Sequence, residues 1–427
     1  MIPAPNPQTS NLRKEPRNEK GRVLRGMRRK LPSFTLLDVQ HGLGCAPMHR
    51  NAFSLLLAGL CLSAAALACT ETKIIEETEP AAQQDGGSSG ANPDPNAGVD
   101  PLAELSPDWQ VKAASYLDGK AKSWLAAPPA VANIACTMSC HTTFSLVMAR
   151  SSLGDAKVPA ADTARKSFEG RVTEGIAGTA TPFYGKDTQA KVKESHATEA
   201  VLNAAALSLD DLGSGRPLSA STKSALERMW TLQRADGAWD WLEFSLEPWE
   251  TRNDWGAAMA ALVAGSVPAN TSAAQAAGTT KVIGYLNKRL TAMALHDRIT
   301  VLWASGALKG LLDEEQSASI VAELVATQRD DGGFAIGAWG KGDLADSKAT
   351  SDGYATALGA LALCRGTTDG AKGAEARKAL TWLAKNQASD GSWPGRSLNS
   401  ESARAKGFMT DAATSYASLA IATCSAK

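Results

Sequence analysis

Apolar and polar positions divide the chain into three parts. Residues 52–68 form an apolar run without a charged side chain, and residues 70–104 are rich in Glu, Gly, Ser, Pro and Asn. From about residue 105 onward, apolar residues recur at the spacing of three and four that places them on one face of a helix, whereas the alternation typical of strands is scarce. The pattern predicts a polar linker followed by an all-helical domain.

The apolar run has the features of an export signal. It is shorter than the roughly 20 residues that a membrane-spanning helix needs, it follows Arg50, and it ends in Ala66-Leu67-Ala68-Cys69. Small residues before a cysteine resemble a bacterial lipobox, in which Cys69 is lipidated and becomes the first residue of the mature protein. Cleavage after Ala68 without lipidation is the alternative. We expect an exported protein of the bacterial envelope that meets the membrane through a lipid anchor only.

These features set the predicted domain boundaries. Because Met48 gives a signal of normal length, residues 1–47 are interpreted as a non-translated or disordered extension. Residues 48–68 are the predicted signal peptide, residues 69–104 the tether, and residues 105–427 the folded domain.

Two recurring phrases predict the architecture of that domain. The phrase Q-x-x-D-G-x-W, with Phe for Trp in one copy, follows a helix-like stretch each time, and its Asp-Gly pair suits a left-handed turn that ends a helix. The second phrase is a polar residue followed by a helix rich in Ala, Gly and Ser, repeated at intervals of 43 to 59 residues. The first phrase begins at Gln233, Gln328 and Gln387, and the second begins at His141, His196, Asp254, Asp297, Asp352 and Asp411.

Each period of this repeat holds an outer helix, a turn and an inner helix. Small residues allow the inner helices to approach one another closely around a common axis. Six such hairpins predict an all-α fold, an (α/α)6 toroid with six helices inside and six outside.

The phrase Q-x-x-D-G-x-W resembles the QW repeats of squalene and oxidosqualene cyclases and the related turns of protein prenyltransferase β subunits. The resemblance covers residues 220–427 by motif and residues 105–215 by helical periodicity only. It implies the toroid fold, a hydrophobic isoprenoid-type ligand in a central cavity, and hairpins tied together by the Gln and aromatic side chains. The residues with that implied role are Gln233, Trp239, Gln328, Phe334, Gln387 and Trp393.

The catalytic motifs of those families are absent from the sequence. The nearest stretch to the D-x-D-D acid of squalene cyclases is Ser208-Leu209-Asp210-Asp211, which has Ser in the first place. No Cys has an Asp two residues before it and no His follows His296, so the zinc ligands of prenyltransferases are missing too. The sequence predicts no metal site and leaves open whether the protein is an enzyme.

The polar residues that begin the inner helices form the candidate site, because in a toroid these ends gather at one rim. The rim either binds a cation, haem or polar substrate, or it complements the helix macrodipoles, which is worth about 0.3–1 kcal/mol per residue. The rim residues are His141, His196, Asp254, Asp297, Asp352 and Asp411, and the four Asp residues are the catalytic candidates. Aromatic residues on the same helices either line a cavity or pack in the core: Phe144, Trp255, Trp303, Tyr354 and Tyr416.

One cofactor is suggested by Cys136-Thr-Met-Ser-Cys140-His141. This segment resembles the C-x-x-C-H motif of haem c with one additional spacer residue, which implies thioethers from Cys136 and Cys140 and axial ligation by His141. A disulfide, free thiols, or a metal site short of one ligand are the alternatives. The sequence does not determine the distal haem ligand: Met138 and Met148 lie too close to the motif along the chain, and His196 is the remaining candidate.

Two further cysteines of the folded domain are Cys364 and Cys424. They lie near the same end of neighbouring inner helices, so they form either a disulfide or two buried thiols.

The chain has 44 basic and 44 acidic side chains, which gives a nucleic-acid partner no electrostatic support. Three functions follow as alternatives: a toroid that binds or processes an isoprenoid-type ligand, a haem-bearing electron-transfer or oxidation protein, and a non-catalytic interaction module.

Overall fold

The computed structural model describes residues 99–127, 139–180 and 189–425. The predicted signal peptide, the lipidation candidate Cys69 and the haem-motif residue Cys136 lie outside these residues. In the part that is described, the chain forms twelve α-helices and no strand beyond an isolated bridge. The helices are α1 (Trp109–Ala126), α2 (Thr143–Ala149), α3 (Pro159–Ile176), α4 (Gln189–Gly213), α5 (Ala220–Thr231), α6 (Asn253–Ser266), α7 (Gln275–Arg289), α8 (Leu295–Ser305), α9 (Glu314–Ala326), α10 (Gly353–Gly366), α11 (Ala374–Lys385) and α12 (Ala403–Ser425).

The even-numbered helices form a closed inner ring. Each packs against the even-numbered helices before and after it, and α12 returns to pack against α2. The odd-numbered helices lie outside this ring, each against one or two inner helices. The (α/α)6 toroid predicted from the repeats is therefore confirmed.

Burial explains why the two layers differ in sequence. Nearly all of α6 and α10 is buried, because one side of an inner helix faces the ring interior and the other faces the outer layer. The outer helix α11 instead buries one stripe, which includes Ala376, Ala379 and Leu383. Glycines allow the inner backbones to touch: a Cβ at Gly306 would collide with the carbonyl of Arg365.

The glutamine of each recurring turn fastens its hairpin to the next outer helix. The amide nitrogen of Gln233 donates to the carbonyl of Gly237 in its own turn (3.0 Å) and to the carbonyl of Gly278 in α7 (2.9 Å). Gln328 makes the equivalent pair of bonds to its own turn and to α11. Gln387 bonds to its own turn and to the carbonyl of Trp109 in α1 (3.0 Å). The same contact thus joins successive outer helices and also joins the last to the first.

The glycines of these turns have positive φ, as the sequence predicts, but they do not end the outer helices. The φ angles are 97°, 87° and 90° at Gly237, Gly332 and Gly391. The helices α5, α9 and α11 end six residues earlier, and each glycine lies in a tight turn of the following loop, where its N–H donates to the carbonyl three residues before it. These glycines also touch the next outer helix, since a Cβ at Gly391 would collide with the carbonyl of Lys112.

Two further links hold the last inner helix, α12, in the ring. The carboxylate of Asp411 in α12 accepts hydrogen bonds from the hydroxyls of Tyr116 (2.9 Å) and Thr142 (2.8 Å). A disulfide joins Cys364 to Cys424, which decides between the two alternatives that the sequence left open. The chain is thus held to itself across nearly its whole folded length.

Replacing Gly391 by Val should destabilise the fold more than replacing Gly310. Both glycines have positive φ, but only Gly391 has a backbone within contact distance of a new side chain. Strain alone costs about 1–2 kcal/mol, and the collision with α1 should bring the loss at Gly391 to about 3 kcal/mol. Urea unfolding of the two variants measures the difference. Equal losses would contradict a role for the close approach between the turn and α1.

Candidate functional site

The six predicted rim residues lie toward the beginnings of the inner helices, but not at one common position. Asp254 and Asp297 lie in the first turns of α6 and α8, and Asp352 is the N-cap of α10. His141 precedes α2 by two residues, whereas His196 and Asp411 lie well inside α4 and α12. Those two helices begin earlier than the repeat predicts, because the sequence gives no stop signal before the polar residue.

Two of the carboxylates point to the outer layer. Asp254 accepts a hydrogen bond from the hydroxyl of Tyr285 (2.7 Å) and pairs with Arg289 (3.0 Å), both on α7. Asp411 accepts from Tyr116 on α1, so in both cases the tyrosine belongs to the next outer helix. Burial raises the pKa of Asp411, and its hydrogen bonds from Thr142 and Tyr116 oppose this effect. Both carboxylates therefore fasten inner helices to outer ones.

Asp352 is turned onto the backbone. Its carboxylate oxygens accept hydrogen bonds from the N–H groups of Ala355 (3.0 Å) and Ile336 (2.7 Å). Burial raises its pKa to about 6, although these bonds act in the opposite direction. It caps the helix and fixes the preceding loop, which is the structural role expected of an Asp at an N-cap.

The fourth carboxylate belongs to a buried chain of hydrogen bonds. The indole nitrogen of Trp249 donates to the hydroxyl of Tyr354 (2.9 Å), which lies 2.8 Å from Nε2 of His296; Nδ1 of His296 lies 3.0 Å from Asp297. With the His296 proton assigned to Nδ1, every bond has one donor and one acceptor. All four residues are at most 3% exposed, so a substrate cannot reach them in this conformation.

Trp249 also closes this end of the ring. It belongs to residues 240–252, here called the cap, and its ring centroid lies 4.7 Å from His141, 5.2 Å from Tyr354 and 5.9 Å from Trp255. The cap is fixed by Asn399, whose side-chain amide bonds both the N–H and the carbonyl of Glu247. The predicted mouth of the cavity is therefore covered.

Aromatic side chains fill the interior behind Trp249. Phe144 of α2 touches Trp255 of α6 (6.4 Å between centroids), and Trp303 of α8 touches Tyr416 of α12 (6.1 Å), so both pairs join helices that are not neighbours in the ring. Tyr354 adds an edge contact to Tyr416 at 5.0 Å. Of the two roles that the sequence left open for these residues, core packing is the one observed; only Trp303 also borders a cavity.

The described part of the haem motif is packed among aromatic rings. Cys140 is a buried free thiol, 8% exposed. The ring of His141 lies between Trp249 and Phe408, with its centroid 5.3 Å from that of Phe408, and burial lowers its pKa to about 4. Neither residue lines the two cavities described below. Because Cys136 lies outside the described residues, haem c stays a prediction of the motif.

The central cavity opens at the opposite end of the ring, where the inner helices end. It is a bowl of about 620 Å³ to which all six inner helices or the residues directly after them contribute. Its wall combines aliphatic and aromatic side chains with small residues and hydroxyls. The lining residues are Met148, Ser151, Ser152, Leu209, Leu212, Gly213, Leu262, Gly265, Ser266, Trp303, Gly306, Ala307, Arg365, Leu419, Ala422 and Thr423.

The chemistry of this bowl is simple. Arg365 is its one charged residue, and its wall contains no carboxylate, imidazole or thiol. The repeat does not reveal the bowl, because its polar residues mark the beginnings of the inner helices and the bowl lies at their ends. The available signal was the apolar character of the C-terminal parts of the inner helices, which carry Leu212, Leu262 and Leu419 where a solvent-facing end would be polar.

A second cavity, of about 490 Å³, lies between α1 and α12. Asp411 forms part of its lining, Trp124 and Phe408 make an edge contact there at 5.7 Å, and Lys120 and Arg404 lie beside them. Because Asp411 already accepts two hydrogen bonds, we assign it to ring closure. Among the described residues, no group of three or more His, Cys, Asp and Glu side chains is arranged to hold a metal ion.

Residues 99–127, 139–180 and 189–425 contain no helix with the length and apolar character needed to cross a bilayer.

Glu250, in the cap, makes the stability of the folded protein depend on pH. Burial raises its pKa to about 7, against the attraction of Lys191. Because the folded protein holds this proton more tightly than the unfolded chain, the associated stability is present at acid pH and is lost as pH rises through 7.

Glu250→Gln should therefore raise the free energy of unfolding at pH 8 by an amount on the order of 1–3 kcal/mol and leave it unchanged at pH 4.5. The exposed neighbour Glu243 provides the matched control, Glu243→Gln, which should change neither value. Thermal unfolding at the two pH values measures both variants. A gain at pH 8 that persists at pH 4.5 would contradict the buried ionisation of Glu250.

Two solved structures are similar to this chain at low sequence identity. No protein-family model matches the chain, and no curated protein matches it. Among solved structures, it is similar to an ent-copalyl diphosphate synthase from Streptomyces platensis, with 17% identity, a TM-score of 0.42, and coverage of 66% of this chain and 51% of that one. It is also similar to a protein described as a wild-type glycosidase, with 15% identity, a TM-score of 0.43, and coverage of 74% and 98%.

The chain spans about half the length of the synthase. At these TM-scores neither likeness carries a conclusion about chemistry. The toroid is defined by the closed ring of inner helices described above.

Proposed function

We propose that this protein binds a hydrophobic small molecule in the bowl at the end of the inner ring. The observation that carries the proposal is the bowl itself: an open cavity of about 620 Å³, walled by the C-terminal parts of the inner helices and the residues that follow them. Ligand sites of small molecules are typically concave, mostly apolar and 300–1,000 Å³ in volume. A cavity on the axis of a closed ring is also held in shape by the whole fold.

Binding suits the bowl better than catalysis does. General acid–base and nucleophilic chemistry need carboxylates, imidazoles, thiols or activated hydroxyls close to the substrate. The four candidate Asp residues are engaged by Tyr285, Tyr116, backbone N–H groups and His296, and none of them lines the bowl. We therefore propose that the ligand is held and not transformed.

The wall of the bowl favours an aliphatic ligand. Leu212, Leu262 and Leu419 come from three different inner helices, and Trp303 forms part of the same lining. Such surfaces complement branched or linear hydrocarbon chains, and an isoprenoid-type molecule is a member of that class. Burial of apolar area supplies about 25 cal/mol per Å², so a chain of ten or more carbons is needed for useful affinity.

We further propose that binding takes place in the bacterial envelope. The disulfide between Cys364 and Cys424 supports this location, since structural disulfides form and persist in oxidising compartments. It agrees with the signal expected at residues 48–68 and the lipid anchor expected at Cys69. A lipid-anchored protein with a bowl for hydrophobic molecules would hold such molecules at the membrane surface.

Filling the bowl should abolish binding of an uncharged hydrophobic probe. N-phenyl-1-naphthylamine, which fluoresces in apolar surroundings, should bind the wild-type protein at one site. Ala422→Trp places an indole inside the bowl, whereas Ala277→Trp places one on the exposed face of α7 as a matched control. We expect Ala422→Trp to weaken the affinity at least tenfold and Ala277→Trp to leave it unchanged, as measured by fluorescence titration.

Two results would contradict the proposal. Unchanged binding by Ala422→Trp would place the probe elsewhere on the molecule. Absence of saturable binding by the wild-type protein would leave a non-catalytic interaction module as the better interpretation. Circular dichroism of both variants shows whether the fold is retained.

A further inference from the structure

Arg365 occupies an unusual position in the bowl. It lies in the last turn of α10 and is the one charged residue of the lining. Its guanidinium forms no ion pair with any carboxylate in the part of the chain that the structure describes. Other arginines between the two helical layers are paired: Arg165 with Asp210, and Arg289 with Asp254.

A cation in an otherwise uncharged cavity points to a ligand of opposite charge. Arginine provides five N–H donors in a fork that matches the two oxygens of a carboxylate. The hydroxyl of Ser266 in the same lining is already bonded to the carbonyl of Leu262 (2.8 Å), so it does not replace Arg365 as a donor. We infer that the ligand of the bowl is a hydrophobic molecule with a single carboxylate that Arg365 binds; this inference rests on the proposed function.

The charge of the surroundings limits the ligand to one negative charge. The C-terminal ends of the inner helices meet at the bowl, and each end carries a partial charge of about −0.5. Arg365 offsets only part of this potential. A diphosphate would bring several negative charges to a place with one cation, and the lining has no carboxylate that could hold a compensating Mg²⁺. The site therefore selects a carboxylate over a polyphosphate.

A purely structural role for Arg365 makes a different prediction. A cation in the last turn of a helix also stabilises that helix through its macrodipole. In that case Arg365 would affect the stability of the fold, and the bowl would not distinguish an acid from an alcohol. Binding selectivity separates the two roles.

Competition against N-phenyl-1-naphthylamine tests the inference with dodecanoate, dodecanol and dodecyl phosphate at pH 8. For the wild-type protein we expect dodecanoate to bind about tenfold more tightly than dodecanol. This ratio corresponds to one partly exposed hydrogen-bonded pair of charged groups. The doubly charged dodecyl phosphate should bind more weakly than dodecanoate. High salt should weaken the binding of dodecanoate and leave the binding of dodecanol unchanged.

Two variants test whether Arg365 causes the preference for dodecanoate. Arg365→Gln should remove the preference for dodecanoate and leave the affinity for dodecanol unchanged. Lys309→Gln provides the matched control, because Lys309 is an exposed cation that follows α8 near the same end of the ring but does not line the bowl. It should retain the preference. If Arg365→Gln does not fold, the salt dependence of the wild-type protein still decides the question.

Failure of the inference differs from failure of the proposed function. Equal affinities for dodecanoate and dodecanol, or a preference that survives in Arg365→Gln, would overturn the role of Arg365 while binding in the bowl stands. Tighter binding of dodecyl phosphate would overturn the limit to one charge. Loss of probe binding altogether concerns the bowl itself and not its selectivity.

Discussion

The hydrogen bond from each turn glutamine to a carbonyl of the next outer helix is the constraint on which the rest of the structure depends. Six hairpins of moderate length bury little by themselves and gain a core only when they stack side by side. Gln233 and Gln328 join neighbours along the chain, and Gln387 makes the same bond to the first helix. The ring therefore closes with the interaction that builds it, and the hydrogen bonds of Asp411 to Tyr116 and Thr142 reinforce the closure.

Closure of the ring creates an interior with two different ends. At the beginnings of the inner helices, large aromatic side chains meet across the axis and Trp249 covers them. At the other end the inner helices finish in small and aliphatic residues, which fill less volume and leave the bowl. Helices that touch through glycines such as Gly265 and Gly306 cannot move inward to fill it, because their backbones are already in contact.

The sequence predicts the toroid well and the site poorly, for physical reasons. Helical spacing and the turn phrase are local signals, so they predict the order of helices and the positive φ of Gly237, Gly332 and Gly391. The direction of a carboxylate depends on partners that are distant along the chain. Asp411 and Tyr116 are 295 residues apart, and no sequence pattern near Asp411 predicts that contact. The cap was missed because Trp249 lies outside both recurring phrases, and Arg365 because one arginine at a helix end is ordinary until the cavity around it is seen.

Photocrosslinking tests most directly whether the ligand site lies at the end of the inner ring that the bowl occupies. A long-chain alcohol with a terminal diazirine reacts with whatever side chain it touches, and mass spectrometry identifies the labelled peptide. Binding in the bowl predicts label on Leu419, Ala422, Thr423 and Ala307, which line it. Label on the cap at residues 240–252, or on Tyr354 and His296 behind it, would contradict binding in the bowl, because it would place the ligand at the end that Trp249 covers.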